Sequence, residues 1–126
     1  MQGEALQPEG LAVPAAPYSP VVVSGDLVVT AGQVAHDVEG KIVADDIEAQ
    51  TRQVLDNLSR ALEAAGCGLE DVIKVNAFLT DLGNFETYNA VYREYFREPY
   101  PVRSTVEAGL APGLLLEVEA MARRSR

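Results

Sequence analysis

The sequence contains no tryptophan, one cysteine and one histidine among its 126 residues. A lone thiol, Cys67, cannot form an internal disulfide, so we expect a reducing compartment and a small packing role for this side chain. The lone histidine, His36, has no second histidine at a ligand spacing, which argues against a metal site and a histidine-activated nucleophile. Walker and dinucleotide-binding glycine motifs are also missing. We therefore expect a protein with no metal and no cofactor.

Long apolar runs and basic clusters are equally scarce. No run approaches the roughly 20 residues that cross a bilayer, and residues 1–16 lack the basic and apolar regions of a signal peptide. The expected location is the cytoplasm, without membrane contact. The net charge is -9, and Arg123, Arg124 and Arg126 form a basic cluster at the end of the chain. Nucleic-acid binding depends on clustered cations, so the sequence argues against it.

What is present indicates one globular domain. Hydrophobic residues make up 48% of the chain and charged residues 23%, ordinary values for a folded protein. Residues 1–16 show no periodicity and are rich in Ala, Pro, Gly and Gln, so we expect a loose lead-in. We assign the domain to residues 17–122 and expect residues 123–126 to be a frayed basic tail.

Apolar periodicity predicts six strands and two helices. Alternating or β-branched runs predict strands at residues 21–23, 27–34, 41–43 and 71–81, with two more between 100 and 120. A helical apolar stripe starts at Ile47 and ends before Gly66, with Asp45 as its predicted N-cap. A second helix is predicted from Phe85 to Phe96, capped by Asn84. The order βββ-α-β-α-ββ predicts an α+β fold, a single sheet with two helices on one face.

Both faces of the central strands carry apolar side chains. Leu27, Val29, Ile73 and Val75 compete with the opposite registers for burial. A sheet that is covered by helices on one face and remains apolar on the other favours self-association.

Two charged residues within the last strands are candidates for chemistry. Alternation places Arg103 on one face with Thr105 and Glu107, and it places Glu117 on one face with Glu119. A guanidinium suits capture of a carboxylate, and a nearby acid can position or deprotonate water. Both could instead be surface residues or members of structural ion pairs, and spacing alone does not choose between Glu117 and Glu119.

Other candidates are less distinctive. Asn89 lies in mid-helix near the aromatic side formed by Phe85 and Tyr92, but from the sequence pattern alone an exposed helix residue is the better interpretation. Tyr18 is held in extended backbone between two prolines and could be only a packed aromatic residue.

Several short segments, taken in order, have a recognisable pattern: PYSP at 17–20, GDLV at 25–28 followed by AGQ at 31–33, IEAQTRQ at 47–53, VNAFLTD at 75–81, YNAVY at 88–92, PVRS at 101–104 and LEVEA at 116–120. Together they resemble the RidA/YjgF family along residues 17–122. Members of that family are reactive-intermediate deaminases that hydrolyse 2-imino acids. The resemblance implies a chorismate-mutase-like fold and a homotrimer with sites between subunits, acting on a small carboxylate-bearing imine.

The resemblance also implies roles for particular residues. Arg103 would clamp the substrate carboxylate, and Glu117 would position water. Tyr18, Asn89 and the backbone around Gly32 would line the pocket, with Ala31 beside it and Tyr92 as a weaker member. Many relatives carry serine where this chain has Ala31, which leaves the substrate open.

Three alternatives remain beside a 2-iminobutanoate/2-iminopropanoate deaminase. They are a non-catalytic protein that senses 2-oxo acids, a related hydrolase of another small substrate, and an RNase. The acidic balance and the lack of a histidine pair argue against the RNase.

Overall fold

Two helices pack on one face of a six-stranded sheet in the computed structural model, which describes residues 1–125. The helices are α1 (Ile47–Ala64) and α2 (Phe85–Tyr95). The strands are β1 (Glu4–Leu6), β2 (Val21–Ser24), β3 (Leu27–Thr30), β4 (Val72–Leu79), β5 (Val102–Glu107) and β6 (Leu116–Arg123). They lie in the order β1-β2-β3-β6-β4-β5, with β4 and β5 parallel and the other pairs antiparallel. The predicted α+β class, with two helices on one face of a single sheet, is confirmed, but the three strands before α1 include β1 and not the predicted strand at 41–43.

The core lies between α1 and the centre of the sheet. Alternate residues of β6 are buried, with Leu116 and Val118 at 0% exposure, because side chains along a strand point to opposite faces. The buried stripe of α1 meets them and includes Val54, Leu58 and Leu62. The stripe confirms the helical period seen in the sequence. Each fully buried aliphatic side chain of this kind contributes roughly 1.5–3 kcal/mol to folding.

The ends of α1 show one correction. Asp46, not Asp45, is the N-cap, and its Oδ1 accepts a hydrogen bond from the Ala49 backbone N–H at 2.7 Å. Gly66 follows the helix with φ +83°, a conformation that glycine adopts without steric cost. Glu48 and Arg52, four residues apart on the helix, form an ion pair at 3.6 Å.

The N-terminal third differs from the prediction. Residues 1–16 are not loose throughout, because β1 pairs with β2 in the register Ala5 to Val22, and Leu11 is buried. The predicted strand at 41–43 is wrong: Ile42 makes only an isolated bridge with His36. The hairpin of β2 and β3 is confirmed, but β3 ends at Thr30 rather than continuing to residue 34.

The basic tail is also partly ordered. Arg123 ends β6 and pairs with Asp26 at 3.0 Å. Arg124 donates to the carbonyl oxygens of Gly25 and Ala65. These contacts correct the expectation of fraying for both residues, whereas Arg126 lies outside the described residues.

Smaller corrections concern β4 and α2. Strict alternation would place Val72 and Val75 on opposite faces, but a register shift between Val72 and Lys74 turns both to the buried face. Asn84 occupies the position before α2, but its side chain makes no capping hydrogen bond.

Two buried amides of α1 fix the loops that flank the sheet. Gln50, fully buried, donates to the carbonyl oxygens of Ala44 and Gly113 and accepts from the Leu115 N–H. Asn57, 4% exposed, donates to the carbonyl oxygens of Val34 and His36. Buried polar groups need such partners, so α1 anchors both the loop after β3 and the turn that leads into β6.

The face of the sheet away from the helices remains apolar in part. Val29 is 38% exposed, Val102 64% and Val106 47%. These side chains lie on β3 and β5, on the side opposite the core. No helix within residues 1–125 has the length and apolar character that a bilayer crossing requires.

Candidate functional site

Arg103 lies on the helix-covered face of the sheet, at its β5 edge. In the parallel β4–β5 pair, Arg103 is opposite Val75 and Thr105 is opposite Ala77. Val75 and Ala77 are buried in the core, and paired residues of adjacent strands point to the same face. The Arg103 side chain therefore rises beside α2.

Helix α2 surrounds this guanidinium with one amide and three aromatic rings. Arg103 Nη2 donates to Asn89 Oδ1 at 2.8 Å. Its Cζ lies 4.7 Å from the ring centroid of Tyr92, 5.4 Å from Tyr88 and 5.7 Å from Phe85. Cation–π attraction is stronger where water is excluded, so these rings hold the cation in place. No carboxylate of residues 1–125 lies within ion-pair distance of Arg103.

Arg103 opens into a cleft of about 360 Å³, which we call the Arg103 cleft. Its lining residues are Asn89, Tyr92, Arg93, Tyr100, Pro101 and Arg103. The hydroxyls of Tyr88 and Tyr92 are buried and make no hydrogen bond within residues 1–125. Burial raises the pKa of both phenols, more than the neighbouring Arg103 lowers it. Both therefore stay neutral at physiological pH, and the cleft keeps the positive charge of its arginines.

Glu117 lies on the opposite face of the sheet. It pairs with Phe78 of β4, whereas its neighbours Leu116 and Val118 point into the core. Glu119 shares that face but accepts a hydrogen bond from Asn76 Nδ2 at 3.1 Å. The Glu117 carboxylate makes no hydrogen bond to a side chain or to the backbone within residues 1–125. Of the two acids, Glu117 is thus the one free to bind water.

Gly32 lies directly over the Glu117 side chain. The backbones of Gln33 and Val118 exchange two hydrogen bonds, at 2.8 and 3.0 Å, which hold this segment against β6. A Cβ on residue 32 would lie 2.5 Å from Glu117 Oε2 and 2.8 Å from its Cγ. Only glycine at this position leaves enough space for the Glu117 carboxylate. We call Gly32 and Glu117 together the Glu117 cradle.

Tyr18 and Ala31 flank the Glu117 cradle. Tyr18 is 56% exposed and shares a shallow cavity of about 190 Å³ with Gly32. Ala31 is half-buried, and its N–H donates to the carbonyl oxygen of Pro20 at 2.8 Å. The methyl group of Ala31 offers no hydrogen bond where a serine would.

The seven predicted site residues thus form two groups. Arg103, Asn89 and Tyr92 meet on the helix-covered face, and Tyr18, Ala31, Gly32 and Glu117 lie by the opposite face or its rim. Because β6 and β5 are two strands apart, the sheet separates the groups by roughly 10 Å as well as by its thickness. One protomer cannot bring Arg103 and Glu117 to the same small molecule.

Sequence reasoning missed several residues of the Arg103 cleft. Arg93 is four residues after Asn89, so it occupies the same helix side, and this spacing could have identified it. The helical spacing of Phe85 and Tyr88 predicts only that they belong to the apolar side of α2, not that their rings contact Arg103. Tyr100 and Pro101, before β5, carry no periodic signal that would place them at a cleft.

The environment of Glu117 gives a pH-dependent prediction for stability. Burial raises its pKa, and repulsion from Glu119 raises it further. A carboxyl group with a raised pKa in the folded state favours folding below its unfolded pKa, and this benefit is lost as the pH rises through the folded pKa. Glu117→Gln should therefore raise the melting temperature by roughly 2 °C at pH 7 and give no gain at pH 4.

Thermal unfolding followed by circular dichroism between pH 4 and pH 8 tests this prediction. Glu39→Gln, in an exposed turn, is the control and should show no such pH dependence. If Glu117→Gln raises the melting temperature at pH 4 as much as at pH 7, the shape of the side chain and not its charge causes the increase.

Comparison with known proteins identifies close relatives. The family model described as endoribonuclease L-PSP matches residues 10–124. A RutC family protein of Pyrococcus horikoshii is 45% identical over 121 residues, covering 94% of this chain and 96% of its own. A Salmonella typhimurium protein named 2-iminobutanoate/2-iminopropanoate deaminase is 41% identical over 112 residues, covering 86% of this chain and 88% of its own. The crystal structure of E. coli TdcF with bound serine superposes with a TM-score of 0.89 and 36% identity, covering 97% and 99% of the two chains.

Proposed function

This chain belongs to the endoribonuclease L-PSP family, which includes RidA and YjgF, and on that premise we propose that it hydrolyses small 2-imino acids to 2-oxo acids and ammonia. The membership confirms the resemblance noted in the sequence. A relative at 41% identity carries the name of this activity. The proposal extends that activity, with 2-iminopropanoate and 2-iminobutanoate as substrates, to this chain.

The observation that supports the proposal most is the Arg103 guanidinium. It is fixed by Asn89 and three rings, it has no carboxylate partner within residues 1–125, and it opens into a cleft. An arginine held in this way suits a substrate carboxylate that accepts two parallel hydrogen bonds. The serine bound to E. coli TdcF is likewise a small molecule with a carboxylate.

The reaction needs one water molecule and proton transfers. Water adds to the imine carbon, and its oxygen forms the new C–O bond while a proton reaches the nitrogen. The hydroxyl proton of this adduct then passes to the amino nitrogen, the C–N bond breaks as the C=O bond forms, and ammonia and the 2-oxo acid are released. Glu117 would orient this water and accept its proton, and the raised pKa of its carboxyl group makes it a stronger base than an ordinary glutamate. Positioning supplies the rest of the rate enhancement.

Assembly follows from the separation of the two groups. The Arg103 cleft and the Glu117 cradle lie on opposite faces of one sheet, so a shared substrate needs the Arg103 cleft of one protomer and the Glu117 cradle of its neighbour. We propose the homotrimer that the family resemblance implies, with three such sites. The exposed Val29, Val102 and Val106 on the helix-free face supply apolar area for the contact.

Mixed oligomers test both the activity and the assembly. Ammonia release is measured with iminopropanoate generated by a serine dehydratase, for wild type, Arg103→Ala and Glu117→Gln. Each variant alone should be nearly inactive. Refolding equal amounts of the two variants together should restore about a quarter of wild-type activity, because about one interface in four then combines an intact Arg103 cleft with an intact Glu117 cradle.

The possible outcomes separate the alternatives. No ammonia release from the wild type, with 2-oxobutanoate still raising its melting temperature, would favour a sensor over an enzyme. Activity in both single variants would remove the assigned roles. Failure of the mixture to recover activity, with mixed oligomers present by native mass spectrometry, would contradict the site between subunits.

A further inference from the structure

The Arg103 cleft contains a second cation that the proposed reaction does not use. Arg93, in the last turn of α2, lines the cleft together with Arg103. Neither guanidinium has an ion-pair partner within residues 1–125. In the described part of the chain no Asp or Glu side chain lines the cleft, although the full sequence carries a net charge of -9. A locally cationic cleft on an acidic protein attracts anions.

The size and polarity of the cleft fit more than one carboxylate. Its volume of about 360 Å³ equals that of about a dozen water molecules at ~30 Å³ each, more than 2-iminopropanoate fills. The Tyr92 side chain, only 4% exposed, also lines the cleft, and its ring lies against the Arg103 guanidinium.

We propose that the Arg103 cleft selects substrates with two carboxylates, binding the carboxylate beside the imine at Arg103 and the distal one at Arg93. The substrate class is then the 2-imino dicarboxylic acids. This inference rests on the proposed function for the reaction, but the binding preference can be measured without turnover. Arg103 is fixed by its neighbours and suits the invariant end of the substrate. Arg93 is exposed at the rim and suits the variable end.

Product binding gives the direct test. The dissociation constants of 2-oxoglutarate and 2-oxobutanoate are measured by calorimetry at low ionic strength for the wild type, Arg93→Gln and Arg97→Gln. The wild type should bind 2-oxoglutarate more tightly. Arg93→Gln should lower that preference by about three- to tenfold, the range of a partly exposed charge pair. Arg97→Gln removes the same charge outside the cleft and should keep the preference.

Salt dependence and turnover complete the experiment. The preference for 2-oxoglutarate should shrink between 20 mM and 500 mM salt, because screening weakens the contact at the exposed Arg93. Equal weakening of both ligands by Arg93→Gln, or equal affinity in the wild type, overturns the inference. If iminopropanoate is hydrolysed but no dicarboxylate preference exists, this inference fails and the proposed function stands. A preference without any imine hydrolysis would leave the binding inference intact and remove the proposed reaction.

Discussion

Replacing Arg103 with alanine is expected to lower kcat/KM for imine hydrolysis by about 10²–10³-fold. Two charge-assisted hydrogen bonds to a carboxylate contribute roughly 3–4 kcal/mol in a partly buried cleft, and each 1.36 kcal/mol corresponds to about tenfold in rate. The fall should be accompanied by loss of 2-oxobutanoate binding in calorimetry. Folding should persist, because Arg103 is half-buried and forms no ion pair within the described residues.

Arg103→Lys separates the charge of the side chain from its shape. Lysine keeps the positive charge but has no planar fork, so it cannot make two parallel hydrogen bonds or stack on Tyr92 in the same way. We expect an activity about tenfold or more below wild type and above that of the alanine variant. Arg97→Ala is the matched control, since it removes an exposed arginine outside the cleft.

The result that would remove Arg103 from the mechanism is specific. If Arg103→Ala hydrolyses iminopropanoate within about threefold of wild type, no carboxylate clamp operates there. If Arg103→Ala loses both its activity and its folded circular-dichroism signal, the loss of activity reports on folding, and the Arg103→Lys variant is then the one to interpret. That variant keeps the hydrogen bond to Asn89 within reach and should fold.

Local patterns predicted most of the fold because its elements have strong periods. The α1 stripe recurs at helical spacing, and β6 alternates strictly between buried and half-buried residues. The hairpin of β2 and β3 has β-branched runs around Gly25, whose φ is +63°. In each case one face of the element is buried, and this burial produces a periodic pattern of apolar residues that can be seen in a short stretch of sequence.

The missed elements depend on distant partners. Strand β1 has three residues and forms through its backbone pairing with β2, so its side chains show no pattern. Residues 41–43 are β-branched in part, but among residues 1–125 no strand lies beside them to complete a ladder. Asp45 and Asp46 are adjacent and chemically identical, and the path of the chain alone makes the second one the cap.

The candidate site also depends on partners that are distant in the sequence. Alternation states which residues of one strand share a face, but it does not state which face the helices cover. Edge strand β5 is poorly buried on both faces, so its sequence gives no preference for Arg103 inside or outside. The pairing of Arg103 with Val75 decides it. The sequence indicated both charged residues, and their placement on opposite faces needed the long-range register.

Gly32→Ala is expected to lower kcat by about 10²-fold while leaving the protein folded. The added Cβ would lie 2.5–2.8 Å from the end of the Glu117 side chain, closer than van der Waals contact permits. The Glu117 side chain is flexible and half-buried, so it moves aside at small cost to folding. A displacement of about 1 Å of a catalytic group can reduce the rate 10²-fold. Stopped-flow or coupled ammonia assays, with melting temperatures measured in parallel, test this separation of activity from stability.

Gly109→Ala is the matched control, because a Cβ there meets nothing within 4 Å and the substitution is otherwise identical. Gly32 does not have the positive φ that would strain an alanine backbone, so a loss of activity in its variant reports on Glu117 itself. The pH–rate profile provides a readout that a general structural defect would not change. Displacing Glu117 from the neighbourhood of Glu119 should shift the acidic limb of the profile to lower pH, since the group loses both causes of its raised pKa. Full activity in Gly32→Ala, or an equal loss in Gly109→Ala, would show that the carboxylate over Gly32 does not position the water.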